Sequence, residues 1–166
     1  MKRVFINSFD TDWGRFSTAA LEDGLVMISL PGPDRACFDR RITQRFPDCR
    51  IERGGPINEQ AERELRAYLC GSLREFKVKL DLSGTPFQRE VLQRVAAIPY
   101  GKTRTYGDIA AALGKPGAAR AVGSANGSNP LPVIIPCHRV VATNGLGGYG
   151  GGLAMKRRLL EMEGAF

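Results

Sequence analysis

A short break, the stretch SGTP at 83–86, constrains the fold of this chain most, because the hydrophobic pattern changes there. Before the break, residues 2–8 and 15–20 alternate between apolar and polar side chains, which is typical of half-buried strands. After it, short helical patterns replace the strands. The 166 residues are enough for one large domain or two small ones. We therefore expect an N-terminal domain over residues 1–83 and a C-terminal domain over residues 84–166.

The N-terminal part is expected to fold as an α/β domain around a small antiparallel sheet. LEDG at 21–24 predicts a tight turn that leads into the apolar run LVMISL, so two strands form a hairpin. Residues 57–70 place apolar side chains at helical spacing, and Gly71 is a suitable helix stop. With a mostly helical C-terminal part, the chain is expected to belong to the α+β class.

Two capping boxes mark the starts of short helices in the C-terminal part. Thr85 is followed three residues later by Gln88, and Thr105 is followed in the same way by Asp108. In a capping box the first side chain accepts from the backbone of the fourth residue, whose own side chain reaches back. Pro86 suits the first helical position, where no backbone donor is needed.

The second capping box opens a predicted helix-turn-helix. We expect one helix over residues 106–113 and the next from Pro116, because Gly114 ends the first pattern. The second helix, PGAARAVGSAN, carries Arg120 as its only long side chain. Such small residues either let two helices pack closely or let the backbone approach a nucleic-acid groove. The second interpretation predicts a minor-groove approach that reads little sequence.

The charge distribution favours a polyanion as partner of the C-terminal part. The chain carries a formal net charge of +7. Residues 81–166 hold 10 basic and 5 acidic side chains, whereas residues 1–80 hold 14 basic and 12 acidic ones. The surplus in the second half is typical of nucleic-acid binding, although a basic surface that only aids solubility has the same composition.

The cysteine and histidine counts argue against a metal site. Cys37, Cys49, Cys70 and Cys137 form no C-x-x-C pair, and His138 is the only histidine. A zinc site built from Cys and His is therefore unexpected, because these possible ligands do not cluster in the sequence. We expect four thiols without disulfides, of which the first three are structural, and neither a metal nor a cofactor.

The segment VIIPCHRVV at 133–141 places Cys137 in an apolar run next to His138. A buried cysteine is often only a small hydrophobic side chain, whereas a cysteine near a histidine is a candidate nucleophile. We interpret the run as extended, so the two side chains face opposite sides unless the backbone bends at Pro136 or a water bridges them. Glu163, near the end of the closing helix, is placed to orient the histidine.

A glycine-rich segment, residues 145–152, follows and is called the glycine loop below. Gly145, Gly147 and Gly150 formally match G-x-G-x-x-G. A dinucleotide site is not expected, because the acidic residue that such a site needs about 20 positions further on is missing. We expect the bare backbone of the loop to form the wall of a site for a flat ligand, with Tyr149 stacking on that ligand or lining the site.

These motifs together resemble the O6-alkylguanine-DNA alkyltransferases, also called methylated-DNA–protein-cysteine methyltransferases. The resemblance covers residues 84–164, and its motifs in order are GTPFQREV, TYGDIA, AARAVG, SNPLPVIIPCHRV, GYGGG and EG. The N-terminal half resembles only the family's more variable α/β domain. The resemblance implies repair of O6-alkylguanine, and of O4-alkylthymine, in DNA. The alkyl group would pass irreversibly to Cys137, once per molecule, after the nucleotide has flipped out of the duplex.

The resemblance also implies roles at the matching positions. Cys137 would accept the alkyl group, His138 would activate it through a water, and Glu163 would orient His138. Tyr106 would contact the sugar-phosphate and the guanine. Arg120 would take the place of the flipped nucleotide in the base stack.

Further matching positions are implied in binding DNA and the base. Asn129 resembles a hinge between the recognition helix and the active-site segment, and the backbone at Val140 and Gly150 would read the base edge. Gly150 stands where some relatives carry serine, so a hydroxyl contact would be lost and a backbone contact kept. The other positions expected to line the DNA or the base are Ala119, Gly123, Tyr149 and Gly151.

The implied partners are double-stranded DNA, bound through the minor groove largely without regard to sequence, and the alkylated guanine base. No apolar run approaches the roughly 20 residues that span a membrane. The first ten residues lack the apolar stretch of a signal peptide. We expect a cytoplasmic monomer, associated with the nucleoid in a prokaryote or nuclear in a eukaryote.

Two other function classes use some of the same features. A DNA-binding regulator, or a damage sensor that does not react, needs the helix-turn-helix but not Cys137. A cysteine hydrolase needs a Cys/His/Glu trio, but it does not explain Arg120 on a helix of small residues or the basic second half.

Overall fold

The computed structural model describes residues 1–32 and 35–166. They divide into two compact units, Met1–Leu82 and Ser83–Phe166. The first is a sheet with helices and the second is mostly helical, which confirms the α+β class. No helix among the described residues is long and apolar enough to cross a membrane.

The first unit is built on a four-stranded sheet with the strand order β3-β2-β1-β4. Its elements are β1 (Arg3–Thr11), β2 (Gly14–Leu21), β3 (Gly24–Ser29), α1 (Arg35–Arg45), β4 (Arg50–Arg53) and α2 (Pro56–Leu69). The first three strands form an antiparallel meander, but β4 pairs in parallel with β1. A parallel pair requires a crossover connection, which α1 supplies. The sheet is therefore mixed, and the prediction of an antiparallel sheet is wrong for its fourth strand.

Both helices of the first unit contribute to its core, and Phe38 and Ile42 of α1 lie in one cluster with buried side chains of the sheet. Helix α2 buries Ala61, Leu65 and Tyr68, which share one helical face. The buried Thr18 hydroxyl on β2 donates a 2.8 Å hydrogen bond to the Asn58 side chain, which satisfies the polar groups at this contact.

The second unit consists of short helices and one small pair of strands. Its elements are α3 (Pro86–Ala96), β5 (Arg104–Thr105), α4 (Tyr106–Ala112), α5 (Ala119–Gly127), a 3₁₀ turn (Cys137–Arg139), β6 (Val140–Val141) and α6 (Leu153–Met162). Both predicted capping boxes form: Gln88 N donates to Thr85 Oγ1 at 3.2 Å, and Asp108 N donates to Thr105 Oγ1 at 3.0 Å.

Helices α4 and α5 form the predicted helix-turn-helix. Helix α5 begins at Ala119, so the prediction of a start at Pro116 is wrong by three residues. The backbone N–H of Ala118 donates to Lys115 O at 2.9 Å and closes a separate turn. Gly117 lies inside that turn, where it avoids the conformational entropy that glycine loses in a helix.

Strands β5 and β6 connect the start of the helix-turn-helix to the segment that follows Cys137. They pair in parallel, with Arg104 opposite Val140 and Thr105 opposite Val141. This pair joins the N-terminus of α4 to the backbone that leaves the 3₁₀ turn.

Candidate active site

The segment around Cys137 is a tight turn and not the predicted extended run. The chain reverses at Val133, whose φ of 74° lies in the left-handed region. This conformation costs about 1–3 kcal/mol in a residue other than glycine, and surrounding packing must hold it. Arg139 N then donates to Pro136 O at 2.9 Å. The 3₁₀ turn that follows, Cys137–Arg139, is called the active-site turn below.

Two amide side chains at the C-terminal end of α5 hold this turn in place. Asn129 Nδ2 donates to Ile135 O at 2.8 Å, and its Oδ1 accepts from Leu131 N at 2.9 Å. Asn126 Nδ2 donates to Cys137 O at 3.4 Å. Asn129, predicted as a hinge residue, thus connects the end of the second helix of the helix-turn-helix to the backbone before the cysteine.

The Cys137 thiol is nearly buried, with 7% of the residue exposed. Burial raises its pKa above the ordinary value because a thiolate loses its hydration. A hydrogen bond with Asn129 and the positive charge of Lys156 lower the pKa and so oppose this effect. Because only the thiolate is a strong nucleophile, a base must remove the proton before this cysteine can react.

His138 and Glu163 form a hydrogen bond inside the unit. The distance from His138 Nε2 to Glu163 Oε2 is 2.8 Å, and both side chains are fully buried. A carboxylate only accepts, so we assign the ring proton to Nε2, which makes Nδ1 the basic nitrogen. Burial lowers the pKa of His138, the Arg139 and Lys156 charges lower it further, and Glu163 opposes them. The imidazole is therefore neutral and able to take a proton.

The Glu163 carboxylate binds Arg139 as well as His138, and Arg139 is a residue to which the sequence analysis assigned no role. Arg139 Nε and Nη2 each donate to the carboxylate at 2.9 Å, and Nη1 donates to Ile98 O at 2.6 Å. The backbone N–H of Gly101 donates to the same carboxylate at 3.3 Å. One buried anion thus joins the active-site turn, the segment after α3 and the end of α6.

Lys156 is a second buried cation that the sequence analysis did not identify. It is fully buried, and its Nζ donates to Val140 O at 2.7 Å and to Gly148 O at 3.0 Å. Burial lowers its pKa to about 8, while the charge of Cys137 acts in the opposite direction. Lys156 therefore joins α6 to the strand after the cysteine and to the glycine loop.

Tyr106, the first residue of α4, packs between two glycines. A Cβ atom at Gly123 on α5 would lie 3.7 Å from its ring, which is ordinary contact. A Cβ atom at Gly147 in the glycine loop would lie 2.6 Å from its hydroxyl, and the φ of Gly147 is +72°. The bare backbone of the loop thus lies directly against Tyr106.

Tyr149 lines the site from the glycine loop. Its ring stands edge-on to that of His138, with centroids 6.4 Å apart and planes at 84°. Its hydroxyl is buried and makes no hydrogen bond to the described residues. Burial raises its pKa well above the ordinary value, with the charges of Cys137 and Glu163 adding to the effect. The hydroxyl is therefore a protonated donor inside the site.

The remaining predicted DNA-binding residues lie nearer the surface. Arg120 is exposed at the second position of α5, next to the half-buried Ala119. Gly150 is exposed and Gly151 half-buried, just before α6. No disulfide joins the four cysteines. Among the described residues, no group of His, Cys, Asp and Glu side chains is arranged to hold a metal ion.

Comparisons with known proteins agree with one another. Residues 86–165 match the family model described as 6-O-methylguanine DNA methyltransferase, DNA binding domain. Over 101 residues the chain is 58% identical to the methylated-DNA–protein-cysteine methyltransferase of Mycobacterium bovis, a match that covers 60% of this chain and 61% of that relative. Over 158 residues it is 50% identical to the protein of the same name from Methanosarcina acetivorans, covering 95% and 96%.

A solved structure matches across both units. The crystal structure of Mycobacterium tuberculosis OGT in complex with DNA superposes with a TM-score of 0.81 at 40% sequence identity. The match covers 97% of this chain and 93% of that chain.

Proposed function

This chain belongs to the methylated-DNA–protein-cysteine methyltransferase family, and from that membership we propose that it repairs DNA by taking the alkyl group of O6-alkylguanine onto Cys137. O4-alkylthymine is a second substrate, and no cofactor takes part. The observation that carries the proposal is the buried arrangement of Glu163, hydrogen-bonded to His138, which adjoins Cys137 in the active-site turn. We call these three residues the relay.

The proposed reaction begins with removal of the thiol proton. His138 Nδ1 takes this proton from Cys137 through a bridging water, while Glu163 holds the ring by Nε2. The thiolate sulfur then attacks the alkyl carbon in line. The S–C bond forms as the bond from that carbon to guanine O6 breaks, and the electron pair goes to the base.

The leaving guanine must regain a proton, so the proton that left the thiol ends on the base. Tyr106 supports the departure by a hydrogen bond to the guanine, since its hydroxyl lies against the glycine loop at Gly147. The product at Cys137 is a thioether, which water does not cleave under ordinary conditions. Each molecule therefore reacts once.

DNA binding is supported by charge and by the shape of α5. The net charge of the second half is positive, with 10 basic and 5 acidic side chains over residues 81–166. The exposed face of α5 is made of small residues and Arg120, which fits a minor-groove approach by a monomer. A stacked base cannot reach a buried thiol, so the nucleotide must flip out at a cost of a few kcal/mol. Arg120 fills the gap in the stack.

Intact mass measurement after incubation with a duplex that contains O6-methylguanine tests the proposal. We expect one methyl group per chain and none in a Cys137→Ser variant. A regulator or sensor that only binds DNA leaves the mass unchanged, and a hydrolase turns over without keeping the group. Either of these outcomes contradicts the proposal.

Salt dependence tests the mode of DNA binding. Phosphate contacts release counterions, so log K falls by about 0.9 per contact for each tenfold rise in salt. We expect a steep slope that is similar for unrelated duplexes. A flat slope, or one strongly preferred sequence, contradicts electrostatic binding without sequence readout.

A further inference from the structure

Lys156 is fully buried, and the hydrogen bonds described for its side chain go to backbone carbonyls only. Lys156 Nζ donates to carbonyls on two segments, Val140 after the active-site turn and Gly148 in the glycine loop. An ammonium has three donors, and these two bonds use two of them. A lysine is almost never fully buried unless it is paired, and Lys156 has no part in the proposed removal of the thiol proton or in the transfer of the alkyl group.

The buried charges around the cysteine do not balance while the thiol is protonated. The cations are Arg139 and Lys156, and Glu163 is the anion. Glu163 already forms a bidentate ion pair with Arg139. The charge of Lys156 is therefore one positive charge more than the buried anion neutralises. Loss of the Cys137 proton to solvent brings the sum to zero, whereas transfer of that proton to His138 leaves the surplus charge in the site. A buried charge is stable only when it is paired, so the surplus cation favours an anion in this site.

Several charged and polar groups interact with Cys137 or with its neighbour His138. They are Asn129 after α5, Arg139 in the active-site turn, Tyr149 in the glycine loop, and Lys156 and Glu163 at α6. Lys156 is the group in this set whose positive charge is not matched by a carboxylate in the contacts described above.

We propose that the Lys156 ammonium is the countercharge of the Cys137 thiolate and, through its two carbonyl bonds, a positioning residue for the turn and loop on either side of it. This inference rests on the proposed function and deepens it, because it identifies what stabilises the nucleophile after His138 has removed its proton. Lys156 touches neither the alkyl group nor the base in this role.

The electrostatic coupling between the two side chains supports the inference. The charge of Lys156 lowers the pKa of the Cys137 thiol, against the larger effect of burial. Reciprocally, the charge of Cys137 raises the pKa of Lys156, whose value is about 8 because burial dominates.

The test is a pH titration of the Cys137 thiol that needs no DNA. The ultraviolet absorbance of the thiolate is measured against pH, and the curve of a Cys137→Ser protein is subtracted to remove the other cysteines. The variants are K156M, which removes the charge in a similar volume, and K156R, which keeps it. R157M is the matched control, because Arg157 is the exposed neighbour on the same helix and loses the same charge.

We expect K156M to raise the pKa of Cys137 by about one unit or more, which is a tenfold smaller thiolate fraction at a given pH. R157M should leave the titration unchanged, and K156R should keep it near the wild-type position. The rate of methyl uptake in K156M should fall most at low pH and recover as the pH rises. If Lys156 only holds the two segments in place, K156M slows methyl uptake equally at every pH and leaves the titration of the Cys137 thiol unchanged. That result overturns the inference.

A second variant keeps the inference testable if K156M does not fold. K156R then decides, because arginine remains charged above pH 8, where lysine loses its proton. A folded K156R whose thiol titrates at or below the wild-type pH supports the countercharge, and one whose thiol titrates higher contradicts it. Failure of the proposed function gives a different result, namely a wild-type chain that takes no methyl group from the duplex whatever its thiol titration.

Discussion

Replacing Glu163 with glutamine tests how the active site is held together. The carboxylate accepts one hydrogen bond from His138, two from Arg139 and one from the Gly101 backbone. Glutamine preserves the shape and removes the charge. The Arg139 guanidinium, only 6% exposed, then stays buried without an anion.

The size of the effect follows from the burial of the pair. Removing one partner of a buried ion pair costs about 3–5 kcal/mol, because the other charge is left uncompensated. Domains are stable by only about 5–15 kcal/mol in total. For a unit of the size of Ser83–Phe166, each kcal/mol corresponds to about 4–8 °C in Tm, so E163Q should lower the Tm by at least about 12 °C.

Urea unfolding followed by circular dichroism measures the loss. E75Q is the matched control, since Glu75 pairs with Lys77 at 3.5 Å on the exposed surface and should show little change. Adding R139M to E163Q removes both charges and should restore a large part of the lost stability. A loss below about 1 kcal/mol in E163Q alone would refute the view that this carboxylate compensates the buried arginine.

Three further predictions concern the glycine loop, the DNA-binding helix and pH. G147A should lower the Tm, because its Cβ would lie 2.6 Å from the Tyr106 hydroxyl at a φ of +72°. G123A should leave the Tm equal or higher, and equal losses would contradict the packing described. R120A should slow repair of a methylated duplex far more than reaction with a free O6-substituted guanine, with R120K rescuing binding at low salt but the repair rate only in part. Equal slowing of both substrates counts against base-stack filling. Because burial lowers the pKa of His138 below 6.5, its contribution to stability is complete above pH 6.5 and is lost as the pH falls below it. H138Q should flatten that part of the stability curve, and an unchanged curve would contradict the burial effect.

Local signals in the sequence predicted the starts of α3 and α4 well. The capping boxes at Thr85 and Thr105 form as expected because they depend only on residues three positions apart. Strand β4 was missed for the opposite reason. Its sequence RIER is mostly exposed and charged, and its pairing with β1 depends on a crossover that no local pattern encodes.

The shape of the active site was harder to predict than its residues. The apolar run 133–141 was interpreted as extended, because β-branched residues favour strands. The structure instead has Val133 at a positive φ and Cys137–Arg139 in a 3₁₀ turn, which local propensity opposes. The turn is held in part by a residue distant in sequence, since Arg139 donates to Glu163.

Lys156 could have been identified from the sequence. It precedes Glu163 by seven residues, and Leu159 and Leu160 lie between them. That spacing places all four on one face of a helix, and all four are buried. A lysine on the apolar face of a helix that ends in a predicted catalytic acid is a signal for a buried cation.

The most direct test of the central claim is peptide mapping of the chain after reaction with a duplex that contains O6-methylguanine. We expect a methyl group on Cys137, at one per chain and no more with excess substrate, while Cys37, Cys49 and Cys70 stay unmodified. A methyl group on another cysteine, or continued removal of methyl groups beyond one per chain, would contradict it.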